Sequence, residues 1–126
     1  MKKYKFISLL LISLLIMNAC EKDYLTPKKV DINFPVSFVE NVVPILTEDC
    51  ATPTCHVSGA QSPNLSASKA YDELTGLGYV DTTNAEESLL YKRIIATIKP
   101  MPPATKLSAE EIGYILAWIK QGAQNN

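Results

Sequence analysis

Two thiols and one imidazole lie within Cys50-Ala51-Thr52-Pro53-Thr54-Cys55-His56, and His56 is the only histidine of the chain. Cys50 and Cys55 are the only cysteines beyond Cys20. A cysteine pair followed directly by histidine is the pattern of c-type haem attachment, ordinarily with two residues between the cysteines. Here there are four. Two thiols from one tight loop can add to the two vinyl groups of a haem, and the histidine that follows then lies under the ring as an axial ligand to iron. Cys50 must reach its vinyl across the longer loop. The extra residues can bulge outward, and Pro53 restricts their freedom. The same residues admit a Cys50–Cys55 disulfide in an oxidising compartment. They also offer three zinc ligands, but closed structural zinc sites take four. No other Cys or His stands beyond Cys20, so a carboxylate such as Asp49 would have to complete such a site.

A cytochrome-type iron takes a thioether or a second imidazole on its far side. A second imidazole is excluded by the single histidine. Met1 and Met17 fall in a segment with the features of a processed signal, which leaves Met101, in Lys99-Pro100-Met101-Pro102-Pro103, as the remaining methionine. Prolines on both sides fix φ and predict a stiff, extended loop. Lys99, Lys106 or an open coordination position are the alternatives. Without haem, the run reads as an exposed Pro-rich turn.

The chain has 126 residues, enough for one domain. Lys2, Lys3 and Lys5 precede an uncharged run over residues 6–17 made mostly of Leu and Ile. That run is short for a bilayer span and suits the apolar centre of a signal peptide. It ends in Met17-Asn18-Ala19-Cys20, which resembles a bacterial lipobox, with Met17 where Leu is commoner. A signal peptide over residues 1–19 and a lipid on Cys20 are therefore expected. An ordinary secretory peptide cleaved nearby, or an uncleaved anchor, is the alternative. The expected location is the cell envelope, tied to the membrane by N-terminal lipid and facing the periplasm or the cell surface. Loss of the three signal lysines leaves nine basic and thirteen acidic side chains, a formal charge of −4. Nothing in that charge pattern indicates nucleic acid.

The elements that must position these residues read as all-α. Residues 20–35 resemble a lipid-anchored tether with no core of its own. The domain occupies residues 36–124, small for a hydrophobic core alone. Ser37-Phe38-Val39-Glu40 is a capping box, followed by Phe38, Val42, Ile45 and Leu46 on one face. Pro44 predicts a kink or a split. Residues 59–63 form a loop, and Pro63-Asn64-Leu65 could lie along a haem edge. Ser68 is placed to cap a second helix over residues 69–75, with Tyr71 and Leu74 inward, stopped by Gly76 and Gly78. A third helix over residues 86–97, capped by Asn84 or Thr83, carries Leu89, Leu90, Ile94, Ile95 and Ile98. The last helix starts at the capping box Ser108-Ala109-Glu110-Glu111. It buries Ile112, Ile115, Leu116 and Ile119 beside Tyr114 and Trp118, and ends at Gly122. No sustained strand alternation occurs, although residues 77–80 are ambiguous.

Taken together, Val43-Pro44-Ile45-Leu46, the Cys50 to His56 motif, Glu87-Ser88-Leu89-Leu90-Tyr91-Lys92, Met101-Pro102-Pro103 and residues 107–122 give a resemblance. Over residues 37–124 the chain resembles a small class I-like, single-haem cytochrome c domain. It is more similar still to lipid-anchored cytochromes of Bacteroidetes type, related to the planctomycete-type cytochrome c group. The four-residue spacing departs from the usual motif. The resemblance implies about four helices around one covalent haem c, thioethers from Cys50 and Cys55, and iron held by His56 and Met101. It implies an electron-transfer protein rather than an enzyme, working with a redox partner that the sequence does not name. Trp118, Tyr114 and Leu116 would pack the last helix against the first or against the haem, with ordinary core packing expected for Trp118. Two other functions stay open: a haem-based sensor or enzyme with an open sixth position, and a haem-free interaction domain with a Cys50–Cys55 disulfide.

Overall fold

The computed structural model describes residues 29–126. The expected signal peptide and the lipidation residue Cys20 lie outside the described residues.

Ser37 has extended backbone, and its Oγ accepts the Glu40 N–H at 3.1 Å. This is half of a capping box. The reciprocal half comes from a different residue, because Ser37 N–H donates to Asn41 Oδ1 at 2.9 Å. The helix that follows, α1 (residues 38–50), runs as a π turn over Phe38–Val42, an α turn over Val43–Ile45 and a second π turn over Leu46–Cys50. Pro44 causes the widening. It offers no N–H to the Glu40 carbonyl, and its ring crowds that oxygen. The ladder accommodates this by reaching further back, with Val43 N–H donating to Phe38 O and Ala51 N–H to Leu46 O. A helix can absorb a local misfit this way without ending. The expected kink or split is therefore replaced by a continuous, widened helix that buries Phe38, Val42, Ile45 and Leu46.

The second helix, α2, spans Ala70–Gly76. Ser68 makes no capping bond. Instead the Ser66 carbonyl accepts the Lys69 and Ala70 N–H groups at 2.9 Å. Ser66 is itself fixed by Asn64 Oδ1, which accepts from its N–H at 3.1 Å and its hydroxyl at 2.7 Å. Leu74 is fully buried and Tyr71 half-buried. The chain leaves α2 through Gly78, whose φ of +74° suits glycine.

The expected helix over residues 86–97 is shorter. A 3₁₀ turn over Ala85–Glu87 precedes α3, which spans Leu89–Ile94. Neither Thr83 nor Asn84 supplies a capping side chain. Asp81 takes that place, accepting from Thr83 N–H at 2.9 Å and Asn84 N–H at 3.1 Å. Together with the Thr83 hydroxyl, these bonds hold the Asp81 carboxyl below its usual range. Ser88 is extended and separates the two pieces, its buried hydroxyl spent on the Asp81 backbone. At the other end, Arg93 O would accept Thr97 N–H in a longer helix. It accepts Met101 N–H at 3.0 Å instead. The apolar stripe splits accordingly: Leu90 and Ile94 are buried with Tyr91, whereas Leu89, Ile95 and Ile98 are exposed.

The last helix, α4, spans Ala109–Lys120, and both halves of its capping box between Ser108 and Glu111 are made. Ile115, Leu116, Trp118 and Ile119 are buried. Ile112 is half-buried. Gly122, at φ +93°, ends it with its N–H on Ile119 O. Among the described residues there is no strand, so the fold is an all-α domain of about four helices.

Three aromatic rings hold the helices together. Phe38 of α1 lies 4.9 Å from Trp118 of α4, tilted by 35°. Tyr71 of α2 meets Phe38 edge-on at 5.4 Å. Trp118 Nε1–H donates to Gln124 O at 2.8 Å, so its polar atom is satisfied. The tail returns to α1, where Asn126 Oδ1 accepts the Phe38 N–H and Asn126 O the Val39 N–H.

Residues 29–35, assigned to the tether by sequence, run as a strap along α4. Ile32 packs on the core. The Gln121 side chain accepts from Val36 N–H and donates to Phe34 O, both at 2.9 Å. Val30 O passes so close to Gly113 that a Cβ there would lie 2.8 Å from it, which excludes any larger residue.

Trp118→Ala should lower stability by about 3–5 kcal/mol, from lost burial plus a residual cavity. Ser108→Ala should cost about 1 kcal/mol through loss of the α4 cap. Urea denaturation of the two variants checks both. A Trp118→Ala loss no larger than that of Ser108→Ala would show that the aromatic contact does not hold α1 to α4.

Candidate functional site

The last π turn of α1 delivers Cys50 to the interior, and the chain then folds back on itself. Cys55 N–H donates to Thr52 O at 3.0 Å, and His56 N–H to Cys50 O at 3.1 Å. Thr54 takes a left-handed φ of +68°, which completes the reversal. Pro53 and Thr54 are exposed. The loop thus bulges toward solvent at Pro53, with Thr54 at the cavity, and Cys50 and His56 are backbone neighbours despite the spacing.

His56 is fixed by its ring as well. Nδ1 lies 2.9 Å from Pro63 O. A carbonyl can only accept, so Nδ1 carries the proton, and in the neutral ring Nε2 keeps its lone pair. This partner is what a metal-binding imidazole ordinarily has on its outer nitrogen. Leu65 N–H donates to His56 O at 2.8 Å, so the Pro63–Leu65 stretch brackets the histidine from both ring and backbone.

Met101 arrives from the connector between α3 and α4. The chain turns at Lys99 (φ +53°) and Met101 N–H returns to Arg93 O, so the Pro-rich run is bent rather than extended as expected. The bond from Met101 N–H to Arg93 O ties it to the end of α3.

Cys50, Cys55, His56 and Met101, which the sequence singled out, line one cavity of about 440 Å³. Its walls are largely aliphatic, from Leu65, Leu74, Leu89, Leu90 and Ile94, with Tyr79 and Arg93 among the polar contributions. Volume and lining fall within the range of small-molecule and cofactor sites. Trp118, Tyr114 and Leu116 do not line it, so the last helix packs on α1 rather than on this site.

The two thiols differ. Cys50 is buried, and burial foremost, with smaller contributions from Asp49 and Cys55, pushes its pKa up to about 11. Cys55 is half-buried. Both are free thiols. Asp49 stands beside Cys50 with its carboxyl pushed up by burial, then by Glu111 and Glu48. Among the described residues no three His, Cys, Asp or Glu side chains gather as metal ligands. The zinc arrangement with Asp49 thus lacks its geometry.

The donor set fits a haem. Two thiols precede an imidazole with a free Nε2, a thioether borders the same cavity, and the walls are apolar. Pro63 and Leu65, expected along a haem edge, do line the cavity, whereas the Pro63 carbonyl's bond to His56 and the places of Leu89, Tyr79 and Arg93 lay beyond sequence reasoning. The Pro63 carbonyl is a backbone atom with no side-chain signature. Leu89 belonged to an apolar stripe too wide for one buried face, and that excess was its only signal.

The molecule is thus an all-α domain of about four helices enclosing an apolar, thiol-bearing cavity. No protein-family model, curated protein or solved structure matches the chain.

Without haem, Cys50 should alkylate far more slowly than Cys55 at pH 8. Its raised pKa alone cuts the thiolate fraction about a hundredfold relative to an ordinary thiol. Unfolded Cys50 releases its proton near pH 9.0 and folded Cys50 near 11, so the haem-free chain should lose stability as pH rises through that window. Mass spectrometry after timed iodoacetamide treatment and denaturation at pH 8 and 11 test both. Equal labelling would mean Cys50 is not held in the interior.

Proposed function

We propose that this chain is a single-haem c-type cytochrome that carries one electron. The supporting observation is that Cys50 at the end of α1, Cys55 and His56 in the loop after it, and Met101 in the connector before α4 border one apolar cavity. Cys50 and Cys55 would hold the haem as thioethers, each S–H adding across one vinyl double bond so that sulfur bonds to one carbon and hydrogen to the other. His56 Nε2 and Met101 Sδ would bind iron, a pairing typical of electron-transfer cytochromes. Bound haem would supply an Fe(II)/Fe(III) couple. The chain's own part is to orient the ligands and exclude water. Pro63 O keeps the His56 proton on Nδ1, and Leu65, Leu74, Leu90 and Ile94 surround the cavity with hydrocarbon. With both axial positions filled, no site remains for substrate, so this reading makes the chain a carrier rather than an enzyme.

We further propose that Cys20 carries lipid and ties the domain to a membrane of the cell envelope, on the periplasmic or outer face. The Met17-Asn18-Ala19-Cys20 sequence supports this. Among the described residues no helix is long and apolar enough to cross a membrane.

The test is co-expression with a haem-attachment system, acid–acetone extraction and a pyridine haemochrome spectrum. Haem should stay with the polypeptide and show the band of two thioethers. Cys50→Ala should move that band to the single-thioether position. Met101→Ala should let the ferrous protein bind carbon monoxide rapidly at neutral pH, where the parent chain resists it. A colourless chain would leave a haem-free domain with two neighbouring thiols.

A further inference from the structure

Thr54 occupies a backbone position that suits another residue. Thr52 O accepts the Cys55 N–H at 3.0 Å, which makes Thr52-Pro53-Thr54-Cys55 a hydrogen-bonded β-turn. Pro53 in the second position and a φ of +68° at Thr54 in the third form the type II arrangement. Glycine is favoured in that third position, because it adopts positive φ at no steric cost. Threonine is β-branched and crowded in the left-handed region. The turn by itself gives no reason for threonine here and is strained by it.

The reason lies in where the side chain goes. Thr54 lines the cavity, whereas Pro53, its neighbour in the same turn, does not. Thr54 is also exposed, so it stands on the boundary between the cavity and water. It does so between Cys50 and Cys55, whose thiols border the same space. The loop is held by its backbone: His56 N–H on Cys50 O, Cys55 N–H on Thr52 O, and Gln61 N–H on Cys55 O at 2.9 Å. None of these bonds uses the Thr54 side chain, so a substitution there tests that side chain alone.

We propose that Thr54 is a cover on the cysteine side of the cavity, which keeps water from the edge of a cofactor held by Cys50 and Cys55 and so raises its reduction potential. This rests on the cytochrome reading, which makes that cofactor haem. The edge joined to the two sulfurs must lie against the loop that carries them. Water beside a haem stabilises the extra positive charge of the ferric state, and solvent exposure is one of the factors that set the potential. Thr54 is then a positioning residue that tunes the site, neither ligand nor attachment point. The two residues beyond the ordinary spacing provide the turn on which it stands.

The test is spectroelectrochemical titration of the haem-loaded mature chain and of Thr54→Gly, Thr54→Val and Pro53→Ala. Glycine removes the cover, and valine keeps its volume without the hydroxyl. Pro53→Ala alters the same turn away from the cavity. At the potential where the parent chain is half reduced, Thr54→Gly should hold about three times as much ferric as ferrous haem, a fall of about 28 mV for a one-electron couple. The other two variants should stay near equal parts. Haem-free Thr54→Gly should need at least as much urea to unfold as the parent, because the strain is relieved. That split separates a cover from a residue needed for folding. An unchanged potential in Thr54→Gly, an equal fall in Thr54→Val, or a less stable Thr54→Gly would overturn the proposal while leaving the cytochrome intact. Iodoacetamide labelling gives a reading that needs no haem: Cys55 should react about three times faster in haem-free Thr54→Gly than in the parent or Thr54→Val. A chain that takes no haem would overturn the cytochrome reading. The labelling would then decide the cover alone, with equal rates overturning it.

Discussion

Phe38 against Trp118 is the contact on which the remaining geometry depends. It sets α4 across the start of α1 and so fixes where the far end of α1 points. That far end is Cys50. The widened ladder around Pro44 then decides the rotation at which Cys50 emerges, since each added residue per turn swings the following side chains around the helix axis. A helix of ordinary pitch through residues 38–50 would present a different face at its end. Core packing and thiol placement are thus one problem, solved within one helix.

The parts of the fold legible in the sequence are those decided by local chemistry. Ser108 and Glu111 cap α4 because both partners lie within one turn, and Trp118, Ile115 and Ile119 follow the helical period. Ser37 signalled the start of α1, although Asn41 rather than Glu40 closes the cap. What escaped was decided at longer range. Nothing near Arg93 indicates that its carbonyl is taken by Met101, yet that bond ends α3 early. Ser68 matched the composition of a cap, but the Asn64–Ser66 turn already supplied the carbonyl for the first turn of α2. The site divides the same way. Its side chains were legible because His56 and Met101 were so few in kind, whereas the Pro63 carbonyl on His56 is invisible to residue type.

The loop from Cys50 to His56 shows how a longer spacer can be neutral to geometry. The hydrogen bond between Cys50 O and His56 N–H fixes the relation between the first and last residues of the loop. The surplus length is turned outward at Pro53, which meets solvent, while Thr54, also exposed, borders the cavity. Spacing in sequence and spacing in space are separable whenever a turn can close beneath the insertion.

The strap over α4 has a mechanical consequence. Any pull on the chain before Lys29 enters the domain along residues 29–35, where the paired Gln121 bonds, the Ile32 contact and the Lys29–Glu86 bridge lie in series ahead of α1. The cavity is walled by other segments: the far end of α1, Leu74 of α2, the loops that follow each, and α3 with its connector. Tension is therefore spent in peeling a surface strip from α4 before it can reach the segments that line the cavity. The domain can be tugged without its site being stretched.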